Sequence, residues 1–518
     1  MRRPDRDRTP APRPHHRRAA RTSVLAAVIA SLLTVASCAP LPAPGPGLAT
    51  DSGPGGSSGT GPGSDTSQEA VVPDWLVPET DLDWTRCGRA AELPDGVSLQ
   101  CGVAGESSVV QVSSEATPDD AAPLVVVAGP ETPASVLATH FAHSGRDLVD
   151  ARPLVLVDHR GRIDAAGTCL TFPEHRTLDG LADEGVDPGS PELRGDLADV
   201  SQSCTDQIQG RELDYGANGA AEDLGALRAQ WRVPGLAILG IGTGARTALA
   251  YATAHPDAVS LLALDSPAPS AGDQEAAARS ALSGSDTALR LWAAACTRVE
   301  CGPGEPDEKV EAITAALEDA RGPSARIPAA LLSDVIRAAL ADVSGASAPD
   351  ASAGDVLLGD LVTARDGETP DSVRKRAEEL RGSSLPYVAG CTDLSRRVPV
   401  SRVDELASEW SETAPFGSVI AAQLSACSTW PVPAPTPVQL PGAVPVLLST
   451  SIADPVGGAA MVEPTAGLLT AAGATDVRTV TWGAPGSAVV LHSTCGRAAL
   501  VDFLSDPASA TESTACPS

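Results

Sequence analysis

The sequence predicts an α/β protein in which a mostly parallel sheet is flanked by helices and interrupted by a helical insertion. Aliphatic runs that end in turn residues occur at Leu124 to Val127 and Leu154 to Val157, as expected for strands buried on both faces. Two further runs, Leu236 to Leu239 and Leu261 to Leu264, flank a helix-like stretch at 245 to 254. Strands that alternate with helices favour a parallel sheet with right-handed crossovers.

The middle of the chain has a different pattern. From about 271 to 435 there are no comparable strand runs, and apolar residues such as Val310, Ile313 and Leu317 recur at helical spacing. Strand-like runs return at Val446 to Leu448 and Val477 to Trp482, before a terminal helix at about 497 to 504. We therefore predict a core at 73–270, a helical cap at 271–435, and the rest of the core at 436–518.

The N-terminus has the features of an export signal. Four arginines between positions 13 and 21 precede an apolar stretch from Val24 to Val35, which is too short to span a bilayer. The segment ends in Cys38, and Val35 to Cys38 resembles the lipobox of bacterial lipoproteins. We predict a signal peptide at 1–37 and a lipid anchor on Cys38, with an ordinary secretory signal as the alternative. The Pro-, Gly- and Ser-rich stretch at 38–72 is predicted to be a disordered tether.

The composition excludes one class of partner. The chain of 518 residues has 66 Asp and Glu against 37 Lys and Arg, a formal net charge of −29. Phosphate backbones would be repelled by this charge, so we predict no nucleic-acid partner. We interpret the acidity as a well-hydrated surface.

The cysteine count indicates disulfides. Without Cys38, ten of the eleven cysteines remain, and an even number in an exported chain predicts a disulfide framework. The pairs suggested by their order are Cys87 with Cys101, Cys169 with Cys204, Cys296 with Cys301, Cys391 with Cys427, and Cys495 with Cys516. The chain has no C-x-x-C pair and no nearby histidine cluster, so we predict no metal site, and no sequence feature indicates a cofactor.

Several separated motifs resemble the secreted tripeptidyl-aminopeptidase and prolyl-aminopeptidase branch of the α/β-hydrolases. They are the segment from Trp84 to Cys87 with Cys101, the turn Asp158-His159-Arg160-Gly161, Asp223-Leu224 with Leu227-Arg228 in the helix before the nucleophile strand, the cap motif Cys391-Thr392-Asp393, and Cys427-Ser428-Thr429-Trp430-Pro431. The resemblance covers nearly all of the chain beyond about Trp84. It implies an α/β-hydrolase fold with a helical cap inserted before the strand that carries the catalytic acid.

The same resemblance locates a catalytic triad that has lost two members. The family's G-x-S-x-G turn reads Gly240-Ile241-Gly242-Thr243-Gly244, so Gly242 occupies the nucleophile position. Asp454 stands where the family has its acid, whereas Gly486 occupies the position of the histidine base. A glycine can neither attack a carbonyl nor transfer a proton, and we therefore expect little or no triad catalysis.

The oxyanion loop also departs from the family pattern. The family's G-G-P-G becomes Ala128-Gly129-Pro130-Glu131, which places a carboxylate near the groups that should stabilise a developing negative charge. Thr243 follows the nucleophile position, where the fold uses the backbone N–H for the oxyanion. We expect Glu131 to oppose the transition state, by several kcal/mol if the site is dry.

Three functions remain open at this point. The first is a catalytically silent lipoprotein that uses its pocket or cap to bind a peptide or protein partner. The second is an active exopeptidase or esterase with a non-standard triad of Thr243, Asp454 and His492, and the third is a structural protein of the cell envelope. We interpret His159 and His255 as structural, and Asp454 could also be retained for a turn hydrogen bond.

Overall fold

The structure is a computed structural model, and it describes residues 77–88, 93–268, 273–344, 350–365, 368–431, 438–440, 444–459, 462–474, 476–508 and 510–518. In these residues ten strands form one sheet in the order β1-β2-β3-β5-β4-β6-β7-β8-β9-β10. The strands are β1 (Thr85–Arg86), β2 (Val97–Ala104), β3 (Ser107–Ser114), β4 (Leu124–Val127), β5 (Leu154–Val157), β6 (Leu236–Ile241), β7 (Val259–Asp265), β8 (Val446–Ala453), β9 (Val477–Pro485) and β10 (Ser513–Cys516). From β5 to β10 every neighbouring pair is parallel, and β1, β2, β3 and β5 pair antiparallel.

The central strands are buried on both faces, which explains their continuous aliphatic sequence. In β4, Leu124 and Val126 pack into one hydrophobic cluster, whereas Val125 and Val127 pack into another on the opposite face. Successive side chains of a strand point to opposite faces, so both faces must be apolar when helices cover both. The predicted fold class, a mostly parallel sheet flanked by helices, is confirmed.

Helices of the core cover the two faces of the sheet. The first cluster includes side chains from α1 (Ala134–Ser144), α2 (Arg146–Ala151), α17 (Val489–His492) and α18 (Thr494–Ser505). The second includes side chains from α6 (Ala217–Trp231), α7 (Gly244–Ala254) and α16 (Val462–Ala471). Three further helices follow β5: α3 (Ala165–Thr168), α4 (Phe172–Asp179) and α5 (Pro191–Ile208).

Between β7 and β8 the described chain is helical. This segment contains α8 (Gln274–Ala295), α9 (Pro306–Asp319), α10 (Ala329–Ala341), α11 (Ala353–Thr363), α12 (Asp371–Leu380), α13 (Leu385–Thr392), α14 (Val400–Ser411) and α15 (Gly417–Gln423). Most of these helices share a hydrophobic cluster of their own, which includes Trp292, Ile313, Ile336 and Trp410. The segment stays close to the sheet because α8 contacts both β8 and β9.

One ion pair joins residues from two of the sequence motifs, Arg160 and Asp223. Arg160, in the turn after β5, donates two hydrogen bonds to the carboxylate of Asp223 in α6, at 2.9 and 2.7 Å. The same carboxylate accepts the Ser107 hydroxyl at 2.6 Å and the Glu106 N–H at 2.9 Å. Asp223 is fully buried, so this bidentate pair ties the β2–β3 hairpin, the turn and α6 together.

All five predicted cysteine pairs are bonded in the structure, namely Cys87–Cys101, Cys169–Cys204, Cys296–Cys301, Cys391–Cys427 and Cys495–Cys516. The predicted signal peptide, Cys38 and the whole predicted tether at 38–72 lie outside the described residues. None of the helices in the described part combines the length and the apolar character that crossing a membrane requires.

Candidate functional site

The predicted nucleophile turn has the backbone of a nucleophile elbow. Gly242 directly follows β6, has φ +57°, and is followed by Thr243 and the first turn of α7. Its N–H donates to the carbonyl of Asp265 at 2.9 Å, and its carbonyl accepts the N–H of Ala268 at 2.9 Å. A methyl group built on Gly242 would meet no atom within 4 Å. The turn therefore leaves open space where a nucleophile's side chain would project.

A carboxylate stands beside this turn. The Thr243 hydroxyl donates to Oε2 of Glu131 at 2.6 Å, and the same oxygen lies against Gly129. Glu131 is exposed, so its charge is screened by solvent. At a separation of about 4 Å, Glu131 would repel an oxyanion by roughly 1 kcal/mol in bulk water and by about 4 kcal/mol near a protein surface. These solvent-exposed values apply here, rather than those of a dry site.

The acid position is occupied by a fully engaged carboxylate. Asp454 follows β8 and is 1% exposed. Its Oδ1 accepts the N–H of Val456 at 2.8 Å, the N–H of Gly457 at 3.3 Å, and the hydroxyl of Ser487. Burial raises the pKa of this carboxyl above its ordinary value, although these hydrogen bonds act in the opposite direction. The two backbone donors are the contacts expected of a turn residue, and no imidazole is among the partners of Asp454 in the described residues.

The predicted base position is closed to side chains. Gly486 has φ +127°, a conformation that residues with a Cβ rarely adopt. A methyl group built there would stand 3.2 Å from the ring of Trp482 and 3.4 Å from the carbonyl oxygen of Ala341 in α10. From this turn it is the next residue, Ser487, whose side chain reaches Asp454, and its N–H also donates to Ala341 at 3.0 Å. The sequence motif did not single out Ser487, because counting residues along a turn does not reveal which one faces the acid.

The alternative triad of Thr243, Asp454 and His492 is not assembled. His492 stacks on Trp482 with ring centroids 5.9 Å apart, and its Nε2 lies 3.9 Å from Oδ1 of Asp342. Burial lowers the pKa of His492. Thr243 is hydrogen-bonded to Glu131, so each member has a different set of partners.

The two histidines that the sequence predicts to be structural have local contacts. His159 is buried, its Nδ1 lies 3.0 Å from the carbonyl oxygen of Arg160, and burial lowers its pKa. His255 ends α7 and its ring lies 5.1 Å from that of Tyr251. These contacts are of the kind expected for structural residues.

A second buried carboxylate lies one strand away and was missed by the sequence analysis. Asp265, the last residue of β7, accepts hydrogen bonds from the N–H groups of Val489 and Val490 at 3.1 and 2.9 Å, and from the Ser449 hydroxyl at 2.9 Å. Burial raises its pKa to about 6, and the charge of Asp454 contributes to the shift. The next residue, Ser266, has φ +49°. The sequence signal that could have indicated this site is the polar pair Asp265-Ser266 directly after the aliphatic run of β7, the strand next to β6.

One group of possible metal ligands lies in the insertion. Among the described residues, ligand atoms of Cys296, Cys301 and Asp355 lie within 4.8 Å of one another. The two sulfur atoms are bonded to each other, so neither is available as a thiolate. Asp355 accepts hydrogen bonds from the indole of Trp292 and from the N–H of Ser352. The arrangement is therefore that of a disulfide beside a capping carboxylate.

Comparisons with known proteins agree with the fold. Residues 412–516 match the family described as TAP-like protein, a segment that includes β8, Asp454 and Gly486. A search of curated protein sequences found no match.

Similar solved structures include a putative lipase from Acinetobacter baumannii, at 10% identity, TM-score 0.34, and coverage of 79% of this chain and 91% of that one. An epoxide hydrolase from Mycobacterium thermoresistibile is 17% identical, with TM-score 0.35 and coverages of 79% and 98%. An esterase from Thermogutta terrifontis is 13% identical, with TM-score 0.32 and coverages of 77% and 93%. These scores are low and carry no assignment. The family match shows that the C-terminal segment 412–516 is similar to TAP-like proteins, the type that the sequence motifs resemble.

Proposed function

We propose that this protein is an exported, lipid-anchored α/β-hydrolase homologue that binds a peptide or protein ligand and does not hydrolyse it. The observation that carries the proposal is the nucleophile elbow at Gly242, which keeps its backbone conformation and the space above it but has no side chain. An acyl-enzyme needs an oxygen or sulfur nucleophile at that place, and none is present.

The surroundings of Asp454 support the same proposal. In a working triad the acid holds an imidazole in the correct orientation, and the imidazole moves the proton. Here the Ser487 hydroxyl occupies that hydrogen bond, and a serine hydroxyl is not a general base at neutral pH. Glu131 adds a negative charge beside the elbow, where the reaction would develop a negative charge of its own.

The test of inactivity is turnover by the purified mature protein. We expect hydrolysis of p-nitrophenyl acetate and of tripeptidyl p-nitroanilides at the rate of the buffer blank, and no labelling by a fluorophosphonate. Loss of a triad nucleophile or base lowers kcat about 10⁶-fold in serine proteases, so enzyme-like rates are not expected. Turnover that disappears in Thr243→Val or His492→Ala would refute the proposal and favour a non-standard hydrolase.

A structural role without a ligand has one observation in its favour. Helices of the insertion pack on the turns that carry Asp454 and Gly486: Ser285 and Arg337 donate to the carbonyl oxygen of Pro455, and Ala341 accepts from Ser487. A cavity of about 160 Å³ remains next to these turns, lined by Leu291 and Trp292 among others. The binding role requires that Gly242 be accessible from solvent, whereas the structural role predicts that the insertion covers it.

Access can be measured with single cysteines, because the ten cysteines of the domain are paired. In a Cys38→Ser background, we expect Gly242→Cys to react with a maleimide at nearly the rate of a free thiol. Ser487→Cys is the matched control and should be protected, since Ser487 is 9% exposed. Equal protection of both positions would favour the structural role.

The lipid anchor is tested separately, by metabolic labelling with an alkyne fatty acid and by membrane fractionation. We expect the wild-type chain to be labelled and to sediment with membranes, and the Cys38→Ser variant to be unlabelled and released. An unlabelled wild-type chain would indicate an ordinary secretory signal.

A further inference from the structure

A cavity in the helical insertion, distant in sequence from the hydrolase turns, is lined by three arginines. Its volume is about 190 Å³, several times the roughly 30 Å³ that one water occupies in the liquid. Arg326, Arg374, Arg381, Thr369 and Glu378 contribute polar side chains to its lining. Because the chain has a net charge of −29, three guanidinium groups around one cavity are a local reversal of its general character.

The geometry of α12 explains how the guanidinium groups converge. The helix contributes four lining residues at spacings of three, one and three positions: Arg374, Ala377, Glu378 and Arg381. This spacing places the first three on one face of α12, and Arg381 caps the C-terminal end of the helix. Arg326 comes from the segment that precedes α10. Thr369 precedes the first turn of α12, so the cavity lies between a helix face and two loops and is open to solvent.

The arginines retain hydrogen-bond donors that the protein does not use. Arg381 is fixed by Asp179, whose Oδ2 accepts from its Nε at 2.6 Å. Arg374 pairs with Asp371 at 2.8 Å, in an exposed contact of little strength. Within the described part of the chain, Arg326 has no hydrogen bond or ion pair. A guanidinium has five N–H donors, so each of the three keeps donors beyond these contacts, although both Nε and Nη2 of Arg381 lie 2.6 Å from Oδ2 of Asp179.

We propose that this cavity binds the oxyanion of a small ligand, either a phosphate or a carboxylate group. Planar guanidinium groups match the paired oxygens of both anions and bind them with charge-assisted hydrogen bonds. Glu378 is the one acidic side chain in the lining, and its negative charge would repel an anion there. A merely solvated basic surface would bind no anion in a saturable way.

The experiment is a calorimetric titration of the mature wild-type protein with inorganic phosphate, methyl phosphate and citrate, at constant ionic strength set with chloride. We expect saturable binding with one site per chain. Arg326→Ala and Arg374→Ala should each weaken it at least about tenfold, since each removes a charge-assisted interaction. Glu378→Gln should strengthen it severalfold, because the repelling charge is lost.

The matched control is Arg376→Ala. Arg376 lies on the same helix, but it pairs with Glu379 at 3.1 Å and does not line the cavity, so its replacement should leave binding unchanged. Arg326 is exposed and should be replaceable without a change in the unfolding midpoint in chloride buffer, which verifies that the variant is folded. Binding of the two phosphates without citrate assigns a phosphate ligand, and the reverse assigns a carboxylate.

Two results would overturn the proposal. One is the absence of saturable binding of all three anions up to about 10 mM. The other is equal binding by the wild type, Arg326→Ala and Arg374→Ala, because an anion held elsewhere on the chain would not respond to these arginines.

Discussion

Replacing Gly284 by alanine tests whether the insertion is closely packed on the acid turn. Gly284 lies inside α8, where alanine is normally favoured over glycine by about 1 kcal/mol. A methyl group built on it would overlap the carbonyl oxygen of Asp454 and stand 2.9 Å from its carbonyl carbon and 3.1 Å from the Cα of Gly458. These are backbone atoms, which cannot rotate away. Overpacking of this kind costs about 1–3 kcal/mol and occasionally more.

The matched control is Gly195→Ala in α5, where the built methyl group meets nothing within 4 Å. Urea unfolding should show Gly195→Ala about 0.5–1 kcal/mol more stable than the wild type, and Gly284→Ala about 2 kcal/mol less stable. If Gly284→Ala matched the control, α8 would not contact the Asp454 turn in solution. The packing of the insertion on the acid turn, on which the structural alternative depends, would then be wrong.

Three further predictions concern the buried carboxylates and the lost triad. Burial raises the pKa of Asp265 to about 6, so the folded state binds more protons than the unfolded state between about pH 4 and pH 6. The contribution of Asp265 to the free energy of unfolding should therefore fall by roughly 3 kcal/mol as the pH rises through that window. The measurement is the difference in unfolding free energy between the wild type and Asp265→Asn at pH 4 and at pH 7. Asp223→Asn should lower the free energy of unfolding by about 3–5 kcal/mol because Arg160 loses its buried partner, whereas Asp214→Asn, in an exposed pair, should change it by less than about 1 kcal/mol. Gly242→Ser combined with Ser487→His should give esterase turnover roughly 10²-fold above the wild type. Gly242→Ser combined with Gly486→His should stay at background, because φ at Gly486 is +127°. Equal rates for the two double variants would contradict the inference that position 487 faces the acid.

The central strands could be predicted from the sequence because each is buried on both faces. β4 and β5 contain only leucine and valine, and their bounds in the structure are those of the aliphatic runs. β2 and β3 were not predicted, since β2 is mostly exposed on one face and β3 contains four serines, so neither has a continuous aliphatic run. β10 is a four-residue strand, too short for a periodic signal.

Some residues of the candidate site could be located from the sequence, and others could not. Gly242 and Asp454 directly follow strands, where a linear motif maps onto geometry almost residue by residue. The turn after β9 does not follow a strand's periodicity, and its positive φ at Gly486 rotates the next side chain toward the acid. Asp265 was missed for another reason: its importance comes from contacts with Ser449 and with residues 489 and 490, which are more than 180 positions away.

The glycines at the predicted nucleophile and base positions differ in what surrounds them, and this difference bears on the proposed function. At Gly486, Trp482 and the end of α10 lie against the backbone. At Gly242 no side chain has moved into the space. If the fold were retained only for stability, both positions should have been filled, because an unfilled site forgoes favourable contacts. The open elbow, with the exposed Glu131 beside it, is therefore the part of the candidate site where we expect a ligand to bind. Labelling of Gly242→Cys that a bound ligand fails to slow would contradict this expectation.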